Sequence, residues 1–180
     1  MSPIAILAGC PGTGKTTLAK RLAETSARGV HLDTDRFYDF VAQPISPILP
    51  ESRAQNETVM AAAAHAAAAF AEGGYDVFVD GVIGPWMLPI WTRALVQSGA
   101  QVDYIVRRAP LEETLRSSNS REKRIPDEIV RHMHAQLASL GPFERHVVAT
   151  SGLSPDQTLA EIARRRAGFE LRLKTPAGGS

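Results

Sequence analysis

Residues 9–16, Gly-Cys-Pro-Gly-Thr-Gly-Lys-Thr, follow the spacing G-x-x-x-x-G-K-T. Glycines let the backbone curl until several N–H groups point at one spot, where an anion binds. The lysine of this pattern supplies a mobile cation for the β- and γ-phosphates, and the threonine hydroxyl binds Mg²⁺. An apolar run over residues 4–8 precedes the loop and a helical pattern follows it. The segment therefore predicts a nucleoside triphosphate site with Lys15 and Thr16 at its centre.

The candidate nucleotide-binding residues are the whole loop and the first turn of the helix, whose positive N-terminal end also attracts phosphate. They are Gly9, Cys10, Pro11, Gly12, Thr13, Gly14, Lys15, Thr16 and Thr17. A plain glycine turn is the alternative, and the flanking strand and helix argue against it. Cys10 occupies a variable position of the loop, where we expect it to be a small packing residue rather than a redox-active group.

The composition bounds the class of protein. The chain has 180 residues, 44% hydrophobic and 22% charged, which is typical of a soluble domain. The net charge of +1 predicts no nucleic-acid partner. One cysteine indicates a reducing compartment and no internal disulfide framework. The N-terminus has no basic signal region and residues 60–71 are too short to cross a bilayer, so we expect a cytoplasmic protein without a membrane partner.

Short apolar runs alternate with helical patterns along the chain. Strands are predicted at 4–8, 29–33, 75–81, 102–106 and 146–149. Helices are predicted at 15–25, 51–72 and 89–97. A further helix starts at 111, another runs from 126 along an apolar stripe to Leu140, and the last includes residues 159–162. Such alternation predicts parallel βαβ units and a doubly wound sheet, whose ligand lies at the carboxyl ends of the strands. We expect a single domain over 1–174 and a frayed tail at 175–180.

Acidic residues stand at two predicted strand ends. Asp33 and Asp35 are two apart, so an extended chain would project both from the same side. One would hold water or Mg²⁺ while the other, Asp35, orients an acceptor hydroxyl and takes its proton. The alternative for each is a turn carboxylate that caps a backbone N–H. Asp80 follows the third strand and is a candidate for the Mg²⁺ water shell or for the acceptor.

A basic segment, residues 116–124, lies between the fourth strand and the helix predicted from 126. Arg116 and Arg124 belong to it, at the place where small kinases carry a lid that closes over the phosphates. Arginines there would stabilise charge on the transferring phosphoryl group. The alternative is a solvated charged face. A GTPase would normally carry Asn-Lys-x-Asp, which this sequence lacks, and a ring-forming ATPase would usually need a longer chain.

Three motifs together resemble the small P-loop kinases of the zeta-toxin and chloramphenicol-phosphotransferase type, within the nucleoside-monophosphate-kinase-like fold. They are residues 9–16, Asp33-Thr34-Asp35-Arg36-Phe37 and Val79-Asp80-Gly81. The resemblance implies a three-layer α/β/α fold. Its five-stranded parallel sheet has the order 2-3-1-4-5, and a small helical lid lies around 112–128.

The same resemblance implies roles for individual residues. Asp35 would be the base and Asp80 a substrate-side acid. Arg116 and Arg124 would be lid arginines that hold the phosphates, and residues 150–153, with Gly152, would lie near the adenine. Zeta toxins carry an arginine shortly after the acid of the third strand, whereas this chain continues Gly81-Val82-Ile83-Gly84-Pro85.

The acceptor pocket would be built from residues 35–53 and 81–91, with Asp33, Asp35, Arg53, Asp80 and Trp86 as candidates. The predicted function is transfer of the γ-phosphate of ATP, with Mg²⁺, to a small-molecule hydroxyl by a monomer or homodimer. Two alternatives stay open. One is a nucleotide-binding module or slow ATPase that acts as a switch, and the other is a zeta-toxin-like kinase of a sugar nucleotide.

Overall fold

Strands and helices alternate along the chain, as the sequence predicts. The computed structural model describes residues 3–96, 98–120, 124–149 and 151–173. The strands are β1 Ile4–Gly9, β2 Gly29–Asp33, β3 Asp76–Gly81, β4 Val102–Arg108 and β5 Val147–Ala149. The α-helices are α1 Lys15–Thr25, α2 Arg53–Glu72, α3 Leu88–Val96, α4 Leu111–Asn119, α5 Asp127–Gln136 and α6 Pro155–Ala167.

The predicted tail at 175–180, Thr150 and residues 121–123 of the predicted lid lie outside the described residues. Within the lid range, α4 and the start of α5 are helical, on either side of that gap. Over the described ranges, no helix combines the length and the apolar composition needed to span a bilayer.

The five strands form one parallel sheet in the order β2-β3-β1-β4-β5, so the predicted topology is confirmed. All six residues of the central strand β1 are buried, as expected for a strand covered on both faces. Its residue Leu7 lies beside Asp80 of β3, and its last residue, Gly9, lies beside Arg107 of β4. The loop after β1 therefore emerges between the carboxyl ends of β3 and β4.

Helices cover both faces of the sheet. Alternation along β1 sends Ile4, Ile6 and Ala8 into one core cluster, and Ala5 and Leu7 into the other. The first cluster is closed mainly by buried residues of α2, with contributions from α3 and α5. The second is closed by α1 and α6. The buried face of α2 consists of Val59, Met60, Ala63, Ala64, Ala67, Ala68 and Ala71. Small alanines let this long helix lie close to the sheet, which completes the predicted three-layer fold.

The predicted end of α5 and the predicted start of β5 are wrong. The stripe that predicts a helix up to Leu140 is interrupted, because α5 ends at Gln136. Leu137 and Leu140 remain buried, but Gly141 and Pro142 begin a short 3-10 helix, and the Leu140 N–H donates to Glu144 Oε2 at 3.1 Å. The predicted strand at 146–149 begins one residue late, since His146 still belongs to that 3-10 helix.

The start of α6 carries a capping box that can be tested. Ser154 Oγ accepts a hydrogen bond from the Gln157 N–H at 3.2 Å, and Gln157 Oε1 accepts one from the Ser154 N–H at 2.8 Å. We expect Ser154→Ala to lower the free energy of unfolding by about 1 kcal/mol, because the Gln157 N–H loses its side-chain acceptor. Urea unfolding followed by circular dichroism measures the change. An unaltered midpoint and slope would show that the cap contributes no stability.

Candidate functional site

The loop between β1 and α1 forms a tight cradle. Its last residue, Gly14, has φ +76°, a conformation that glycine adopts without strain, and helix α1 begins at the next residue, Lys15. Inside the loop, the Cys10 carbonyl accepts a hydrogen bond from the Thr13 N–H at 3.2 Å and another from Thr13 Oγ1 at 2.8 Å. The cradle is thus held by its own backbone before any anion is bound.

Lys15 and Asp80 lie together at the bottom of the site. Lys15 Nζ is 3.9 Å from Asp80 Oδ1, and the two side chains are only 5% and 3% exposed. This proximity follows from the register, because Asp80 stands at the end of β3 beside β1. The predicted meeting of a strand-end acid with the phosphate loop is therefore present.

His31 is a neighbour of Asp80 that the motif analysis missed. Its Nε2 lies 3.5 Å from Asp80 Oδ2, across the β2–β3 pair. Burial alone raises the pKa of Asp80, but the His31 ring, the Lys15 ammonium and the Thr16 hydroxyl together hold that pKa below its usual value. Asp80 is therefore a carboxylate at neutral pH. Nothing in the sequence indicates that a single histidine in one predicted strand will contact an acid of the neighbouring strand.

The residues at this point fit a magnesium ion that accompanies a nucleotide. Asp80 Oδ1 is buried and has no hydrogen-bond partner among the described residues, and the Thr16 hydroxyl is close enough to affect the Asp80 pKa. A hydroxyl and an ionised carboxylate are oxygen donors of the kind that Mg²⁺ or its bound water prefers. Thr16 and Asp80 are thus the residues that would hold the ion.

The structure separates the two acids of the Asp33-Thr34-Asp35 motif. The chain is not extended after Asp33 but turns into a 3-10 helix, Thr34–Phe40, so the extended geometry that would project both carboxylates from one side is not present. The reason is tertiary. Thr34 is fully buried and its Oγ1 donates to the Asp80 carbonyl at 3.1 Å, while Asp33 Oδ1 accepts from the Asp35 N–H at 3.1 Å. Asp33 therefore has the capping role that the sequence left as an alternative.

Asp35 is exposed on that 3-10 helix. It lies near Tyr38, whose pKa is raised to about 12 by burial and, to a smaller extent, by the negative charge of Asp35. The Tyr38 hydroxyl donates to Asn56 Oδ1 of α2 at 3.1 Å, which anchors this short helix against α2. The 3-10 helix that carries Asp35 is thus anchored to β3 by Thr34 and to α2 by Tyr38.

The lid arginines point outward. Arg116 is exposed on α4, and Arg124 is exposed and lies 3.4 Å from Asp127 Oδ1. Helix α4 itself packs directly on the phosphate loop, since a Cβ added to Gly12 would lie 2.4 Å from the Thr114 carbonyl oxygen. Helix α4 therefore lies against the loop, and both arginines are exposed.

The close approach at Gly12 gives a prediction. Gly12 has φ +93°, so Gly12→Ala adds backbone strain and a clash with α4, and we expect a loss of stability of about 1–3 kcal/mol together with weaker nucleotide binding. Gly141→Ala is the matched control, because Gly141 also has positive φ, at +54°, but has open space around it. Thermal unfolding and calorimetry measure both effects. Equal behaviour of the two variants would contradict the contact with α4.

The remaining predicted substrate and adenine residues lie at the surface. Arg53 forms an ion pair with Glu57 of its own helix at 2.9 Å, with the Arg53 side chain 85% exposed. Trp86 is half-exposed, and its ring covers Gly84. Gly152 lies in the exposed loop after β5 with φ +75°. The structure describes no direct contact of these three residues with the Lys15–Asp80 pair.

A family profile described as an AAA domain matches residues 4–140, which include the phosphate loop, Asp35, Asp80 and both lid arginines. The chain belongs to this AAA domain family. Because the match covers the loop and strands β1 to β4, the P-loop assignment is confirmed. Among curated protein sequences, none matches this AAA domain.

Several solved structures share the fold of this AAA domain. A sugar kinase from a Janibacter species matches with a TM-score of 0.70 and 20% identity, covering 91% of this chain and 94% of that one. The tunicamycin resistance protein of Deinococcus radiodurans matches with 0.68 and 19%, covering 92% and 96%. The APS kinase of Mycobacterium tuberculosis, solved with AMPPNP and APS, matches with 0.65 and 15%, covering 92% and 98%.

These likenesses confirm the expected nucleoside-monophosphate-kinase-like fold, including its strand order. Each of these neighbours is matched along nearly its whole length, so the likeness extends over the whole fold. P-loop kinases in general use a nucleotide and Mg²⁺.

Proposed function

We propose that this AAA domain transfers the γ-phosphate of ATP to a hydroxyl group of a small molecule. The observation that carries the proposal is the buried pair of Lys15 and Asp80, 3.9 Å apart, at the foot of the phosphate cradle. In this proposal an exposed acid, Asp35, would act on one side of the pair and the lid helix on the other. A cation, a carboxylate for the metal and a separate base are the groups that phosphoryl transfer requires.

The phosphate chain would bind to the N–H groups of the loop and to the N-terminal end of α1. Lys15 would bind the β- and γ-phosphates. Thr16 and Asp80 would hold Mg²⁺, which neutralises charge on the phosphate oxygens as the reaction proceeds. Because Asp80 is already ionised and buried, this arrangement is organised before the nucleotide arrives.

Asp35 would orient the acceptor hydroxyl and remove its proton as the hydroxyl attacks the γ-phosphorus. Arg116 and Arg124 extend into solvent in this structure, so they would reach the transferring group only when the lid closes over bound nucleotide. Closure would also exclude water, which otherwise competes with the acceptor for the phosphoryl group.

The acceptor class is supported by the neighbours. The sugar kinase and the APS kinase act on small molecules, as their names state, and the tunicamycin resistance protein has the same fold. For this AAA domain we propose an acceptor pocket between the 3-10 helix that carries Asp35 and the loop that carries Trp86. Arg53 would take part only after leaving Glu57, its partner in this structure. We also predict cytoplasmic localisation, a monomer or homodimer, and no nucleic-acid or membrane partner.

A screen of ATP consumption tests the proposal. Purified protein with Mg·ATP is incubated with alcohols, sugars, nucleosides, and aminoglycoside- or amphenicol-like compounds, and ADP and phosphorylated product are both measured. The expected result is ADP formation that depends on one acceptor class and yields an equal amount of phosphorylated acceptor. Hydrolysis without any acceptor dependence would contradict the proposal and favour a slow ATPase switch, whereas a sugar nucleotide as the sole acceptor would favour zeta-toxin-like chemistry.

A further inference from the structure

Strand β4 runs two residues beyond its predicted end, through Arg107 and Arg108. This extension places Arg107 beside Gly9, where the phosphate loop begins. The backbones approach closely, because a Cβ added to Gly9 would lie 2.7 Å from the Arg107 carbonyl oxygen. Arg107 is therefore part of the wall of the cradle, although no motif of the sequence includes it.

The side chain of Arg107 turns along the loop to its far end. A Cβ added to Gly14 would lie 2.7 Å from Arg107 Nη1 and 3.6 Å from Arg107 Cζ. The guanidinium thus rests against the residue that directly precedes Lys15. The backbone N–H groups of this part of a P-loop are those that surround the phosphates, so a second cation borders the same anion site as Lys15.

Among the described residues, the side chain of Arg107 has no fixed partner. Its Nε is buried and has no hydrogen-bond partner among the described residues, and over the same residues no carboxylate lies within ion-pair distance of its guanidinium. Burial lowers the pKa of Arg107, and the charge of Glu113 opposes this effect without reaching contact. A desolvated cation without a partner is unfavourable. Such a group is commonly retained where a ligand supplies the opposite charge.

The neighbouring arginine shows the contrast. Arg108 Nη2 donates to the Leu137 carbonyl at 2.9 Å, and its Nη1 pairs with Glu144 Oε1. Arg108 ties β4 to the segment after α5 and therefore has a structural role. Arg107, one residue earlier on the same strand, faces the phosphate loop instead.

We propose that Arg107 is a phosphate-binding residue, whose guanidinium contacts the α- and β-phosphates of the bound nucleotide. This inference deepens the proposed function, since it assumes that the loop binds a nucleotide. The planar fork of N–H donors suits phosphate oxygens, and the phosphates would supply the opposite charge that Arg107 lacks. Because Arg107 belongs to a sheet strand, it would contact the diphosphate without any movement of the lid. Arg116 and Arg124, by contrast, would require closure.

The test is calorimetric titration with Mg·ADP of the wild type, Arg107→Gln, Arg107→Lys and the matched control Arg108→Gln, together with the thermal midpoint of each without nucleotide. We expect Arg107→Gln to raise the Kd by about 10- to 100-fold, because a charge-assisted contact is lost. Its midpoint without nucleotide should be unchanged or higher, since a partly buried charge without a partner among the described residues is removed. Arg107→Lys should recover part of the affinity, because it keeps the charge without the fork.

Arg108→Gln should show the opposite pattern, a lower midpoint with an unchanged Kd. The proposal is overturned if Arg107→Gln binds Mg·ADP as tightly as the wild type, or if its midpoint falls while its Kd stays constant, which would mark a structural residue. Lack of nucleotide binding by the wild type would overturn it as well. Because ADP binding needs no acceptor, failure of the acceptor screen and failure of this test are separate results.

Discussion

Replacing Lys15 by alanine is expected to lower kcat by about 10³-fold, effectively abolishing turnover. In the proposed reaction the buried ammonium would bind the β- and γ-phosphates, and removal of one such preorganised group from a phosphoryl-transfer site has an effect of this order. Lys20→Ala is the matched control, because Lys20 lies on the same helix but is exposed. Steady-state ADP release at saturating acceptor measures both variants, and only the first should lose activity.

The same substitution has a consequence for stability. Lys15 is the cation nearest to Asp80 Oδ1, so its removal leaves a buried carboxylate with less compensation. Lys15→Met retains the apolar stem and serves as a second variant if the alanine variant folds poorly. Turnover by a folded Lys15→Met protein at the rate of the wild type would contradict the role of Lys15 in the reaction.

Changing Asp35 to asparagine is expected to leave Mg·ATP binding nearly intact while lowering kcat by about 10²- to 10⁴-fold, the range typical of a lost general base. Asparagine keeps the size of the side chain but has no carboxylate to take the proton. Asp39→Asn is the matched control, since Asp39 is exposed four residues further along the same 3-10 helix.

Calorimetry with a non-hydrolysable ATP analogue and kinetics with the acceptor found in the screen separate the two properties of the Asp35 variant. Wild-type turnover by Asp35→Asn on that acceptor would show that the base has been assigned to the wrong residue. A parallel loss of nucleotide binding would instead place Asp35 in the nucleotide site.

Much of the fold follows from local patterns. Buried parallel strands need continuous apolar runs and helices need one apolar face, so the order of elements could be written down from residues 4–8, 75–81 and their neighbours. The meeting of Asp80 with the phosphate loop was also predictable, because acids at strand ends share one edge of a parallel sheet.

The features that local patterns could not predict depend on contacts between distant segments of the chain. The turn after Asp33 depends on Thr34, which bonds to the end of β3 forty-six positions along the chain. His31 and Arg107 contribute to the site from strands in which no motif marks them. Their importance depends on which side chains the neighbouring strands place opposite them, and that requires the register.

Titration calorimetry of the wild type and Lys15→Ala with a magnesium complex of a non-hydrolysable ATP analogue tests the central claim most directly. The account predicts one binding site per chain for the wild type and loss of most of that affinity when Lys15 is removed. No heat from the wild type with either a purine triphosphate analogue or Mg·ADP would contradict the anion cradle on which the proposed chemistry depends. Equal affinity of the two proteins would contradict the place given to Lys15.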